Sequence, residues 1–406
     1  MKSALRNLSA ALLKTRRRKL LCLLALLGAL PLVAGGVVLV FWTLPVFRGH
    51  LTSVLNPSAA EGLVYFHDYE PSVPWSMHVV KFSRKRKDLE LVSLMGLGQR
   101  QGMATVSQQV SQVPPAWGRP VAAVNGDLYN DDREYFGDPE GLQIVRGELV
   151  SGPSPTRACL WVDSQGNPHH DDVRSQFQVT WPDGRTTAFG LNEARGDASA
   201  VLYTAAVGPS TRTHGGVELV LERSGTNAWL PLRLGQTLQA RVREVKSGGN
   251  SATTADTLVL SLGPELAPPA AQLRPGASLR LSTATTPALA GIPTAIGGGP
   301  TLVAGGKARE WSGVRMRHPR TAIGWNQDYI YLVVVDGRQL RVSAGMTFPE
   351  LADYLVRLGC EEAFGFDGGG SATCWANGAV RNSPSQGRER PAANVLAVVE
   401  KNRSQK

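Results

Sequence analysis

The chain has 406 residues, 42% of them apolar and 19% charged, a balance that supports a large core and excludes global disorder. Its 44 glycines and 26 prolines follow no period, which excludes collagen-like and simple repeat architectures. The formal net charge of +10 loses its apparent meaning once located: residues 1–60 carry eight bases and no acid, leaving +2 for the rest. Nucleic acid is therefore a disfavoured partner.

Leu20 to Trp42 is a run of 23 uncharged residues. At about 1.5 Å per residue such a helix crosses a hydrocarbon layer of roughly 30 Å. Lys14 and Arg16 to Lys19 lie just before it, so residues 1–19 read as a cytoplasmic basic tail by the positive-inside rule. Residues 20–42 then form a transmembrane anchor and 43–61 a tether, with the remainder extracytoplasmic, in a periplasm or on a cell surface. Cleavage as a signal peptide near Ala34 is the alternative reading.

Gly62 opens the first strand-like run. Trp75 to Phe82 and Leu89 to Leu94 read as strands joined by a solvated hairpin tip carrying Arg84, Lys85, Arg86 and Lys87. Val121 to Val124 is a short buried strand ending on Asn125-Gly126-Asp127, and Gly141 to Val150 is a hairpin around Arg146-Gly147. Residues 151–290 have an all-β texture, short runs such as Leu160–Val162 and Val217–Leu221 between glycine turns, and read as an inserted block or subdomain. His169-His170-Asp171-Asp172 reads as a polar turn rather than a metal site. Cys360 and Cys374 flank one glycine turn and are candidates to pair, and no cysteine spacing fits zinc.

The segment 291–400 is the most legible. Ile330 to Val335 is a continuous apolar, β-branched strand. Thr347-Phe-Pro-Glu350 is a capping box, with Leu351, Leu355 and Leu358 on one helical face and Gly359 as the stop. Ala363 to Phe366 is a strand feeding Asp367-Gly368-Gly369-Gly370-Ser371, and Asn377-Gly378 marks a hairpin turn.

Asp367 is the sharpest chemical feature. A carboxylate at a strand end is held rigidly, and three glycines let backbone approach a ligand closely or form an anion-binding nest. Arg320-Thr321 offers a guanidinium suited to phosphate. A nucleophile elbow is absent around Ser371, and no P-loop or H-E-x-x-H pattern occurs.

Taken in order, Ala123-Val-Asn-Gly-Asp127, Ile296-Gly-Gly-Gly-Pro-Thr-Leu-Val303, His318-Pro-Arg-Thr-Ala-Ile-Gly324, Leu332–Gly337, Gly345–Leu358, Phe366-Asp-Gly-Gly-Gly-Ser371 and Asn382…Arg390-Pro391 resemble the phosphodiester glycosidase family. The resemblance implies a mixed, β-rich α/β domain from residues 62–150 and 291–400, interrupted by the β-rich block 151–290. The family commonly has Asn-Gly-Gly where this chain has Asn125-Gly126-Asp127. Bacterial members are often tied to exopolysaccharide.

The implied activity is hydrolysis of a sugar-1-phosphodiester at its glycosidic side, in an extracytoplasmic glycan or glycoconjugate. Asp367 is the expected carboxylate at C1, with Asp336 as the second. Arg320 and the turn Gly368, Gly369 and Gly370 are expected to hold phosphate, with Thr321, Arg390 and Asp127 in the same substrate-binding set. Asn125, Ser371 and Asn382 are expected to orient sugar hydroxyls. The Asp-rich loops leave room for calcium or another divalent cation. The rival expectation is a non-catalytic envelope module that binds anionic polysaccharide.

Overall fold

The computed structural model describes residues 62–131, 134–226, 229–267, 272–311 and 316–402. The basic tail, anchor and tether expected in residues 1–61 lie outside the described residues. Among those described, no helix is long and apolar enough to cross a membrane.

Two sheets face each other. The first has seven strands in the order Leu63–Glu70, Trp75–Ser83, Tyr329–Val335, Arg320–Trp325, Glu362–Gly365, Thr301–Ala304 and Lys307–Ala308. The second has five, Ala379–Val380, Cys374–Ala376, Arg119–Asn125, Asn394–Glu400 and Leu89–Met95. Alternation explains the unbroken apolar run of Tyr329–Val335. Ile330, Leu332 and Val334 fill the space between the sheets with Val124, Leu396 and Val398. Tyr331, Val333 and Val335 point the other way and meet Leu351 and Leu355 of the helix Phe348–Arg357. Each such fully buried aliphatic side chain contributes about 1.5–3 kcal/mol relative to exposure. A shorter helix, Val106–Ser111, covers the outer face of the second sheet.

The α component of the expected α/β class is thin. The two α-helices just named are short, and among the described residues nearly every strand pairing is antiparallel. The longer helix begins as the sequence predicts, with Thr347 Oγ1 accepting from the Glu350 N–H and Glu350 reaching back to the Thr347 N–H.

Strands between residues 174 and 286 form one eight-stranded sheet, with its own core around Phe177, Leu202, Leu219, Leu260 and Leu281. Between it and the two facing sheets lies a third, Glu148–Ser151, Gln143–Val145, Thr294–Gly297, Cys159–Val162 and Pro168–Asp171. Cys159–Val162 pairs with Thr294–Gly297, so part of the 151–290 block is woven into its flanks.

Three local expectations are corrected. Trp75–Ser83 and Leu89–Met95 are not a hairpin: they pair with different strands in different sheets. The basic run between them is tied down, Arg84 donating to the Asn326 carbonyl and Asn167, and Arg86 to Asp88 and Glu400. His169 and His170 lie in the strand Pro168–Asp171, where His170 meets Glu362 at 3.1 Å and stacks on Phe364. Cys360 and Cys374 are free, because one packs in the helix-side core and the other between the sheets. Burial pushes both thiols up to about 12.

Candidate active site

Glu362–Gly365 pairs with Arg320–Trp325, and this register carries Asp367 to the sheet end beside Pro319 and Arg320. The Asp367 N–H donates to the Gly126 carbonyl, and Asn125 Nδ2 donates to the Asp367 carbonyl at 2.7 Å. The backbone at Asp367 is thus clamped between the two sheets. Its carboxylate, about 12% exposed, accepts from Arg390 Nη2 at 2.9 Å. Ser371 Oγ receives Arg390 Nε at 3.0 Å and steadies the guanidinium. Burial raises the Asp367 carboxyl above the usual range, opposed by Ser371, Arg390 and the Gly368 N–H.

Each of the three glycines is crowded by a different neighbour. A Cβ at Gly368 would lie 2.6 Å from the Pro319 carbonyl oxygen, and one at Gly370 2.9 Å from Gln386 Nε2. At Gly369, with φ +61°, it would lie 3.1 Å from Arg338 Nη2. The N–H groups of this turn are largely taken by protein: Gly368 serves Asp367, Gly369 the Pro319 carbonyl and Ser371 the Gly368 carbonyl. The expected backbone nest is mostly filled from within.

Asp336 differs from Asp367. Its side chain is 1% exposed and accepts four hydrogen bonds, from Ser76 Oγ at 2.9 Å, His78 Nε2 at 2.8 Å, Asn382 Nδ2 at 3.1 Å and the Ser383 N–H at 2.9 Å. Tyr65 and His67 extend this network to His78 and Ser76. These four protein donors fill the carboxylate's acceptor positions and join the two sheets through it. Asn382 divides itself between Asp336, the Ala372 carbonyl and the Cys374 N–H. Asn125 is fully buried, and its Oδ1 accepts from Thr321 Oγ1 and the Thr373 N–H. Asn125, Thr321 and Asn382 are thus each hydrogen-bonded to protein partners around the glycine turn.

Arg320 is also committed. Its Nε donates to the Met346 carbonyl at 2.9 Å, Nη2 to the Met316 carbonyl at 3.2 Å, and the guanidinium lies 3.9 Å from the Phe348 ring centroid. Burial, with Arg338 nearby, lowers it to about 10. Asp127 stands apart, beneath Gly141 and Gly297. Its Oδ1 accepts from Arg157 Nη1 at 2.9 Å and the Leu128 N–H, while the buried Oδ2 has no partner. A Cβ at Gly297 would fall 2.0 Å from that oxygen, so only glycine fits there. Burial raises the Asp127 carboxyl to about 6 despite Arg157.

Sequence reasoning missed Ser76, His78 and Arg338. Period two in Trp75–Ser83 places Ser76 and His78 on the face they share with Val80, a signal that could have found them. A cavity of about 500 Å³ lies elsewhere, beside Arg84, Lys85, Asn167 and Lys401; there Lys85 pairs with Asp328, Lys401 with Glu90, and Arg84 bonds to Asn167. Among the described residues no group of three or more His, Cys, Asp or Glu is placed to hold a metal ion.

Residues 238–399 match the family model described as phosphodiester glycosidase, a stretch containing Arg320, Asp336, Asp367 and Arg390. Over that stretch, less than half of its length, the chain is similar to the phosphodiester glycosidase family. An uncharacterized SPbeta prophage-derived protein of Bacillus subtilis, YomE, is 37% identical over 89 residues, 22% of this chain and 14% of that protein. A hypothetical protein from Synechocystis has a similar structure, with a TM-score of 0.67 at 20% identity; the match covers 84% of this chain and 62% of that one. A putative exported protein from Burkholderia pseudomallei gives 0.64 at 22% identity, over 80% and 74%. These two show the fold alone. The catalytic domain of zebrafish N-acetylglucosamine-1-phosphodiester alpha-N-acetylglucosaminidase, auto-inhibited by its pro-peptide, gives 0.42 at 15% identity, over 83% and 82%.

Proposed function

We propose that this protein hydrolyses the glycosidic bond of a sugar-1-phosphodiester in an extracytoplasmic glycan or glycoconjugate. The observation that carries the reading is the Asp367–Arg390 pair at a clamped strand end, inside the segment matched to the family. A phosphodiester oxygen is already a good leaving group, so protonation matters less than stabilising departing negative charge. Asp367 then serves the oxocarbenium-like carbon, as nucleophile or as base for water. Arg390 holds Asp367 on one side and reaches a phosphoryl oxygen on the other.

In the balanced reaction the C1–O bond breaks, its oxygen and electron pair stay with phosphate, and water supplies hydroxyl to C1. The products are a free reducing sugar and a phosphate monoester. Cleaving an aryl sugar-1-phosphodiester in ¹⁸O-water tests this: label must enter the sugar. Label in phosphate instead means a phosphodiesterase, and no turnover favours a glycan-binding module.

The same reading keeps residues 62–150 and 291–400 as the catalytic domain, 151–290 as its elaboration and 20–42 as an anchor holding it outside the cytoplasm. Support for the anchor is the uncharged run behind a basic cluster. Protease added to spheroplasts is expected to digest the domain, and full protection would refute that topology.

A further inference from the structure

Arg338 follows Asp336-Gly337 at the end of Tyr329–Val335, in left-handed backbone with φ +60°. A long side chain adopts that conformation only where surroundings demand it. The demand here comes from the strand end: Asp336 is fixed by four donors, Ser343 Oγ donates to its carbonyl, and Gly337 is wedged against Pro319 and Gly345. The turn out of this anchor sends Arg338 over the glycine turn. A Cβ at Gly369 would sit 3.1, 3.3 and 3.4 Å from its Nη2, Nη1 and Cζ, so the guanidinium plane lies close across that residue.

What Arg338 lacks is a carboxylate. Arg317 pairs with Glu350, Arg390 with Asp367 and Arg157 with Asp127, whereas among the described residues no acid lies within ion-pair distance of Arg338. Its hydrogen bonds go to His318 Nδ1, at 3.2 Å from Nη2 and 3.4 Å from Nε. That geometry needs an unprotonated Nδ1, and burial with Arg320 and Arg338 nearby lowers the His318 pKa, keeping the ring neutral. The glycine turn is therefore flanked by two guanidiniums, one balanced by Asp367 and one unbalanced. Arg320, also without an acid at ion-pair distance among the described residues, adds a further positive charge close by, so the turn carries a positive excess that suits the negative charge of a phosphodiester.

Building on the glycosidase reading, we infer that Arg338 is the arginine that receives the departing phosphate, taking its non-bridging oxygens above Gly369. Arg320, which the sequence suggests for this task, supports the Met316 and Met346 backbone instead. Leaving-group departure adds a second negative charge to the phosphate. Arg338 therefore binds the transition state more tightly than the ground state, and its effect falls on kcat as well as KM. The planar fork contributes two parallel hydrogen bonds that a lysine cannot make.

The test uses the full chain and inorganic phosphate as probe, by calorimetric titration, beside turnover of an aryl sugar-1-phosphodiester. Arg338→Asn removes the charge with a residue that tolerates positive φ. It is expected to weaken phosphate binding at least about 10-fold, a charge-assisted contact's worth. Arg338→Lys is expected to recover part of the affinity while kcat stays depressed. A folded Arg338→Asn protein that binds phosphate like the wild type overturns the assignment, as does a wild type with no saturable phosphate binding. If wild type binds phosphate through Arg338 but never cleaves the diester, the phosphate site stands and the glycosidase reading falls.

Discussion

Arg390 reaches Asp367 with one nitrogen, at 2.9 Å, while its Nε is held by Ser371 Oγ at 3.0 Å. The pair opposes the burial that raises the Asp367 carboxyl, and commits Nε and Nη2 of the guanidinium to protein partners.

Asp367→Asn preserves shape and removes the charge. Turnover of an aryl sugar-1-phosphodiester is expected to fall by about 10³-fold or more, equivalent to roughly 4 kcal/mol of barrier. Thermal unfolding should change little, because the substitution also removes a partly buried charge. Near-normal turnover in a folded variant would remove Asp367 from the chemistry.

The pH dependence has a definite sign. Burial raises the Asp367 carboxyl, and the proposed mechanism needs the carboxylate, so kcat/KM should climb as pH rises through a value above the ordinary carboxylate range. A rate–pH profile flat from pH 4 to 8 (a window of about four units around that range) would contradict the assignment.

Asp336→Asn acts on folding. It leaves Ser76, His78, Asn382 and Ser383 competing for one acceptor oxygen and sets an amide donor among them. The expected cost is about 2–4 kcal/mol, seen as a lower midpoint in denaturant unfolding. A midpoint unchanged with turnover abolished would return Asp336 to the reacting groups.

Asp127 links stability to pH. Its folded pKa, about 6, exceeds the ordinary value of 3.8 for the unfolded chain, so the folded state binds more protons between them. Stability from this group is fully present below the unfolded value and lost as pH rises through the folded one, on the order of 3 kcal/mol in all. Asp127→Asn should remove that downward slope between about pH 4 and 6 in melting curves. A wild type and variant with parallel curves would show that Asp127 titrates elsewhere.

Local signals were the legible part of the fold. Thr347 and Glu350 define a helix start, and Asn377-Gly378 turns with φ values of +49° and +85°, because these depend on neighbours in sequence. Partner choice was not legible: Trp75–Ser83 and Leu89–Met95 look like a hairpin because each is strand-forming, yet different sheets claim them. The site divides the same way. Asp367 is marked by its strand and glycines, but the commitment of Asn125, Arg320 and Asn382 to protein partners arises from contacts far along the chain. Arg338 carries no local sign, since its direction follows from one backbone angle.

The position of Asn394–Glu400 between Arg119–Asn125 and Leu89–Met95 constrains how the molecule comes into being. During synthesis the two earlier strands must wait for a third that is made roughly 270 residues later, on the order of 10–60 s at ordinary elongation rates. Until then the five-stranded sheet has a gap in its middle, and both borders of the gap are open to any stray strand. A ribosome stalled anywhere before residue 394 leaves that opening permanently unfilled. Quality-control factors would therefore meet this protein as a sticky, unfinished sheet, and premature termination even close to residue 394 should yield aggregates instead of a slightly weakened fold.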